Sequence, residues 1–135
     1  VTREALTAGI QACVVGNRIS DISNAVYDVA HTKNNFGVVY EYCGHGVGFD
    51  VHEDPNVPNC PSRGPNPRIK PGLVLAIEPM INEGVDEVDL EEGSDWNVIT
   101  ADGLYSCHEE HTVAVFPDHT EILTDLNYNG NACTY

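Results

Sequence analysis

Leu73-Val74-Leu75-Ala76-Ile77-Glu78-Pro79 sets a continuous apolar run directly against a carboxylate and a proline. The run has the length of a strand and no polar alternation, which suits a β-strand covered on both faces. Burying a lone carboxylate is expensive, and a cation offsets that cost directly. Pro79 holds Glu78 extended, so that its side chain points across the sheet. Glu78 is therefore a candidate metal ligand, with an ordinary salt bridge at a strand end as the alternative.

Working outward, Lys70-Pro71-Gly72 reads as a tight turn. Pro55, Pro58, Pro61, Pro65, Pro67 and Pro71 crowd the segment before it, which reads as an ordered loop crossing within one domain. Further upstream, Val38, Val39, Tyr40 and Tyr42 are strand formers that run into Cys43-Gly44-His45-Gly46-Val47-Gly48, placing His45 just past a strand end. The chain opens with two amphipathic helices. Leu6, Ile10, Cys13 and Val14 define the first, stopped by Gly16; Ile22, Ala25, Val26 and Val29 define the second, capped by Ser20.

Downstream of the apolar strand, Glu83, Asp86, Glu87, Asp89, Glu91, Glu92 and Asp95 mark a solvated hairpin or loop. Further strands are expected around Trp96 to Ile99, Leu104 to His108, Thr112 to Phe116 and Glu121 to Leu123, with a loose tail over 126–135. The length of 135 residues and the 41% hydrophobic content suit one domain spanning the whole chain, 1–135.

Composition excludes several function classes. Acidic residues number 21 against 6 basic ones, a formal net charge of −15, so the cationic patches of a nucleic-acid-binding protein are hard to assemble. Such acidity favours neutral or cationic partners, a free peptide amine among them, and it also serves solubility. There is no run of about 18 apolar residues and no basic stretch followed by an apolar one, so neither a membrane span nor a secretory signal is read. The 5 cysteines, irregularly spaced and without a C-x-x-C pair, fit reduced thiols in a cytoplasmic setting.

The remaining chemistry-bearing residues are His45, His52 and the run His108-Glu109-Glu110-His111-Thr112. Glycines around His45 remove side chains and permit unusual backbone angles, leaving an imidazole in an open site where a ligand's backbone can come close. Strand alternation puts Glu110 on one face with His108 and Thr112, and Glu109 with His111 on the other. Glu110 is thus either a metal ligand or a solvated strand-end acid. His52 could donate a hydrogen bond to a reacting carbonyl, or be merely polar. There is no G-x-S-x-G, P-loop or H-E-x-x-H, and the Gly44-x-Gly46-x-Gly48 spacing is wrong for a dinucleotide loop.

Taken together, Tyr42 to Gly48, His52-Glu53-Asp54-Pro55-Asn56-Val57-Pro58-Asn59, Lys70-Pro71-Gly72, Ala76-Ile77-Glu78-Pro79-Met80, Asp95-Trp96 and Glu110-His111-Thr112 resemble the ordered motifs of type I methionine aminopeptidases. The likeness runs to about Asp125. Related proline-specific peptidases typically have glycine at the place of Met80.

The resemblance implies the pita-bread (creatinase/aminopeptidase) fold, of α/β (α+β) class, of which this chain holds only the C-terminal half: an antiparallel-rich sheet with helices on one face. It implies a centre of up to two divalent ions (cobalt, manganese, iron or zinc) bound by His45, Glu78 and Glu110. His52 would contact substrate, and Cys43, Val51, Met80 and Trp96 would line the methionine pocket. Val51 stands where an aromatic residue is common, and His108 where glutamine is often found. In that family two metal-binding aspartates come from strands upstream of the helix that Val1 begins here, so the resemblance implies an N-terminally incomplete catalytic domain.

The expected activity is hydrolytic removal of N-terminal methionine from peptides and nascent proteins by metal-activated water, with His52 and Glu110 in catalytic roles. Expected partners are a peptide or nascent-protein N-terminus and the missing N-terminal half, with neither nucleic acid nor membrane. The competing expectation is a non-catalytic or inactive module of the same fold that binds peptide or protein and lacks the two upstream aspartates.

Overall fold

The computed structural model describes residues 1–125, so the tail expected over 126–135 lies outside it. Helix α1 (Thr2–Ala12) forms on the predicted periodicity and buries Leu6 and Ile10. It ends earlier than its apolar spacing suggests: Cys13 is the buried C-terminal cap, its N–H donating to the Ile10 carbonyl at 3.0 Å, and Val14 is exposed. Gly16, at φ +97°, then turns the chain through a conformation that costs other residues more.

Helix α2 (Ile19–Tyr27) starts two residues earlier than a Ser20 cap would place it. Its cap is Arg18, whose backbone N–H donates to Asp21 Oδ2 at 2.7 Å. Ser20 instead ties the first turn to the proline-rich loop: its N–H donates to Asn66 Oδ1 and its Oγ accepts from Asn66 Nδ2, each at 2.9 Å. The helix continues into a wider π-helical turn, Asp28–Lys33.

Among the described residues ten strands follow: β1 (Gly37–Val38), β2 (Gly44–Gly46), β3 (Glu53–Val57), β4 (Val74–Ile77), β5 (Met80–Asn82), β6 (Val88–Leu90), β7 (Val98–Thr100), β8 (Ser106–His108), β9 (His111–Val115) and β10 (Thr120–Ile122). They pair antiparallel into a five-stranded sheet of order β10-β9-β4-β2-β3, a three-stranded sheet β1-β5-β8 and a hairpin β6-β7. The turn before β4 is hydrogen-bonded from Leu73 N–H to the Lys70 carbonyl at 3.3 Å, with Gly72 at φ +91° after Pro71, the pattern of a type II turn.

The apolar run became the centre of the larger sheet because nothing on it needs water. Leu75 and Ile77 face α1 and α2, joining Leu6, Ile10, Ile19, Ile22, Val57, Val113, Val115 and Ile122 in one core. Each such side chain contributes about 1.5–3 kcal/mol on burial. Gly9 lets α1 come this close: a Cβ there would stand 2.9 Å from Val26 Cγ2 and 3.3 Å from Ile77 Cγ2. Both helices therefore cover one face of the sheet, and the opposite face is left for Val74, Ala76 and whatever follows at Glu78.

Three expectations about strands and loops are corrected. Of the strand expected from Val38 to Tyr42, only Gly37–Val38 pairs, and Tyr40 and Tyr42 are exposed. Gly44-His45-Gly46 is itself an interior strand between β3 and β4, not a loop past a strand end. Part of the proline-rich segment is also a strand, β3, which tolerates Pro55 because it lies at the sheet's edge.

Candidate functional site

Sheet geometry brings the site together. His45 pairs with Ala76, and Ala76 with Thr112, so these three share a row across β2, β4 and β9. Paired residues in antiparallel strands point to the same face, and a step of two residues keeps that face. Glu78 and Glu110 are one such step beyond Ala76 and Thr112, on the face away from the helices. Glu109, on the other face, forms an ion pair with Arg3 of α1 at 3.0 Å.

The same register runs through a change of sheet. Ile77 pairs with His111 in the large sheet and Met80 with His108 in the small one, which leaves Glu78 opposite Glu110 and Pro79 opposite Glu109. The Glu109 N–H donates to the Pro79 carbonyl at 3.3 Å within this seam. The candidate residues thus sit where one long antiparallel ribbon bends from one sheet into the other.

Glycines flank His45 for a reason other than unusual angles. A Cβ on Gly44 would collide with the Ala76 carbonyl oxygen, and one on Gly46 with that of Asp54. The strands on both sides pack their backbones where those side chains would be, which fixes the imidazole between them.

The Glu78 carboxylate stands between two imidazoles. His45 Nε2 is 3.4 Å from Glu78 Oε1, and His108 Nε2 is 3.1 Å from Oε2. His45 and Glu78 side chains are only 12% and 13% exposed. The Gly46 carbonyl, 2.9 Å from His45 Nδ1, can only accept, so Nδ1 carries the proton of the neutral ring. A lone pair on Nε2 then faces a carboxylate oxygen, an arrangement that calls for a proton or a cation between them. Second-sphere carbonyls orient metal-binding histidines in this way.

Glu78, His108 and Glu110 offer ligand atoms that all lie within 4.8 Å of one another. This mixed carboxylate and imidazole set fits a divalent ion of the manganese-to-zinc series. The hydrogen bond to Glu78 raises the His108 pKa above the ordinary imidazole value; burial opposes the rise, and the charges of Glu78 and Glu110 add to it. Burial also raises Cys43, against a hydrogen bond from Val57 that lowers it, with the Glu78 charge a smaller raising influence.

Of these groups all but Glu110, which does not line it, open into a cavity of about 1090 Å³. Cys43, His45, His52, Glu78, Met80, Trp96 and His108 all line it; Val51 does not, and stands 71% exposed. The His45 and His52 rings lie with centroids 4.2 Å apart. Glu41, Glu53, Asp54 and Asp95 add to the acidic wall, and among the described residues that line it none is lysine or arginine.

Sequence reasoning gave no role to the hairpin's apolar side chains. The acidic segment is a solvated hairpin as expected, yet Val88, Leu90, Val98 and Ile99 form one side of the cavity. The alternation of Val88 and Leu90 with Glu87, Asp89 and Glu91 is the available signal for the first of its strands. His108 lies on the face that strand alternation predicts, and its closeness to Glu78 depends on the register across the seam.

The sequence profile described as "Metallopeptidase family M24" matches residues 1–117. The chain is 60% identical over 126 residues to a methionine aminopeptidase of Treponema pallidum, covering 93% of this chain and 49% of that protein. It is 47% identical over 125 residues to one from Clostridium perfringens, with 92% and 49% covered. The crystal structure of methionine aminopeptidase from Thermotoga maritima superposes with a TM-score of 0.86 at 38% identity, over 93% of this chain and 49% of that one. The shared architecture is the pita-bread fold, and the chain spans about half the length of the curated relatives it matches.

Proposed function

Because the chain belongs to metallopeptidase family M24, whose membership carries the use of divalent metal, we propose that it is the catalytic portion of an aminopeptidase that removes methionine from the N-termini of peptides and nascent proteins. The observation that carries this reading is the Glu78 carboxylate held between the Nε2 atoms of His45 and His108, with Glu110 opposite.

In this reading His45, Glu78 and Glu110 hold up to two ions, cobalt, manganese, iron or zinc, together with two aspartates supplied from outside these residues. A bound ion would acidify a water and polarise the scissile carbonyl. Glu110 would accept and pass on the proton of the attacking water, and His52 would donate a hydrogen bond to the carbonyl oxygen as charge develops there. Cys43, Met80 and Trp96 receive the methionine side chain. The acidic wall draws in the free α-amine and disfavours polyanions such as nucleic acid.

No helix among the described residues is long and apolar enough to cross a membrane. A cytoplasmic setting, association with an N-terminal half, and residues 1–135 acting as one catalytic domain belong to the same proposal. The test is release of free methionine from a methionyl tripeptide by this chain together with the N-terminal half that supplies the two aspartates, with cobalt(II), manganese(II), iron(II) or zinc(II) added. Release that stops on chelation is expected. No release with any of the four metals, from protein shown folded by circular dichroism, would contradict the activity for this chain.

A further inference from the structure

His108 closes β8 opposite Met80, two residues before Glu110 on the same ribbon and facing Glu78 across it. Its Nε2 lies 3.1 Å from Glu78 Oε2, and its side chain is 48% exposed, free enough to turn its ring without disturbing the core. Among the described residues, it is His108, not His45, that groups with both Glu78 and Glu110 so that all three donor atoms lie within 4.8 Å. A hydrogen bond to Glu78 alone would need only one contact; convergence with two carboxylates is what a cation site requires.

We propose that His108 is a metal ligand of this chain, joining Glu78 and Glu110 around one ion and adding a second imidazole to the one supplied by His45. The inference rests on the metal-centre reading above and refines it. Imidazole is a softer donor than carboxylate and suits zinc and cobalt better than manganese. A centre with two imidazoles therefore favours zinc over manganese more strongly than a centre with one.

The test uses the full chain, its His108→Gln variant, and a His119→Gln control in which the lost ring stacks on Phe116 at 4.7 Å instead of lining the cavity. Cobalt(II) is titrated while the visible absorption is followed, and zinc is competed against manganese. His108→Gln is expected to change the cobalt spectrum and to cut the preference for zinc by at least about tenfold, while His119→Gln changes neither. In wild-type protein labelled with 15N at histidine, zinc should shift the ring Nε2 resonance of His108, a measurement independent of any variant's folding. An unchanged His108 resonance with zinc bound elsewhere in the cluster would overturn this inference and leave the metal centre standing. Wild-type protein that binds neither ion would overturn both.

Discussion

Glu78 and Glu110 face one another across an unbroken antiparallel register, at the seam where the ribbon passes from the five-stranded to the three-stranded sheet. Like charges directly opposite on paired strands are destabilising. Their position on the open face, beside two imidazoles, makes the repulsion a feature that a cation relieves.

Glu110→Gln should therefore stabilise the metal-free protein by about 0.2–1 kcal/mol, since it removes one of the opposed charges. Urea unfolding in the presence of a chelator measures this. With cobalt(II) added, wild-type protein should gain more stability than the variant. A variant less stable without metal would show that the facing carboxylates do not repel.

The close backbone approach around His45 gives a second prediction. Gly44→Ala and Gly46→Ala each force a methyl group onto a neighbouring carbonyl oxygen, and each should cost about 1–3 kcal/mol, the usual cost of overpacking. Gly64→Ala meets only Ser62 Oγ at 3.7 Å and should stay within about 0.5 kcal/mol of wild type. Equal urea midpoints for all three would remove the packing argument for the glycines.

How much was legible in the sequence follows from these particular residues. The helices, the apolar strand β4 and its preceding turn could be read because burial leaves a periodic trace on Leu6, Ile10, Leu75 and Ile77. Strand β2 could not, since a strand made of Gly44, His45 and Gly46 has no side-chain alternation to read. Strand β3 was hidden by Pro55, which only an edge position excuses. Glu78 and Glu110 stood out by local oddity, whereas His108 joined them only through a register that continues across two sheets.

Burial holds the Cys13 thiol at a pKa of about 12, so at pH 8 it stays protonated, enclosed and unreactive. Among the cysteines of the described residues, iodoacetamide labelling followed by peptide mass mapping should modify the exposed Cys107 first and leave Cys13 untouched until the protein unfolds. Early labelling of Cys13 in the folded state would contradict the packing of α1 on the sheet.

Asp102 accepts hydrogen bonds from the N–H groups of Val85, through Oδ2 at 2.8 Å, and Leu104, through Oδ1 at 3.0 Å. These bonds lower its pKa below the ordinary value of 3.8, with the Val85 bond the largest cause. A lowered folded-state pKa gives stability that is complete above the unfolded value and is lost as pH falls through the folded one. Asp102→Ala should therefore be less stable than wild type at pH 7, and the gap should close as pH drops below about 4. A gap that stayed constant between pH 7 and pH 3 would place its origin elsewhere.

The central claim is that His45, Glu78 and Glu110 hold a divalent ion, and calorimetric titration of cobalt(II) into the full chain and its Glu78→Gln variant tests it most directly. Saturable binding by wild-type protein, weakened at least about tenfold in the variant, is the predicted result. Equal binding by both proteins, or binding by neither, would contradict it.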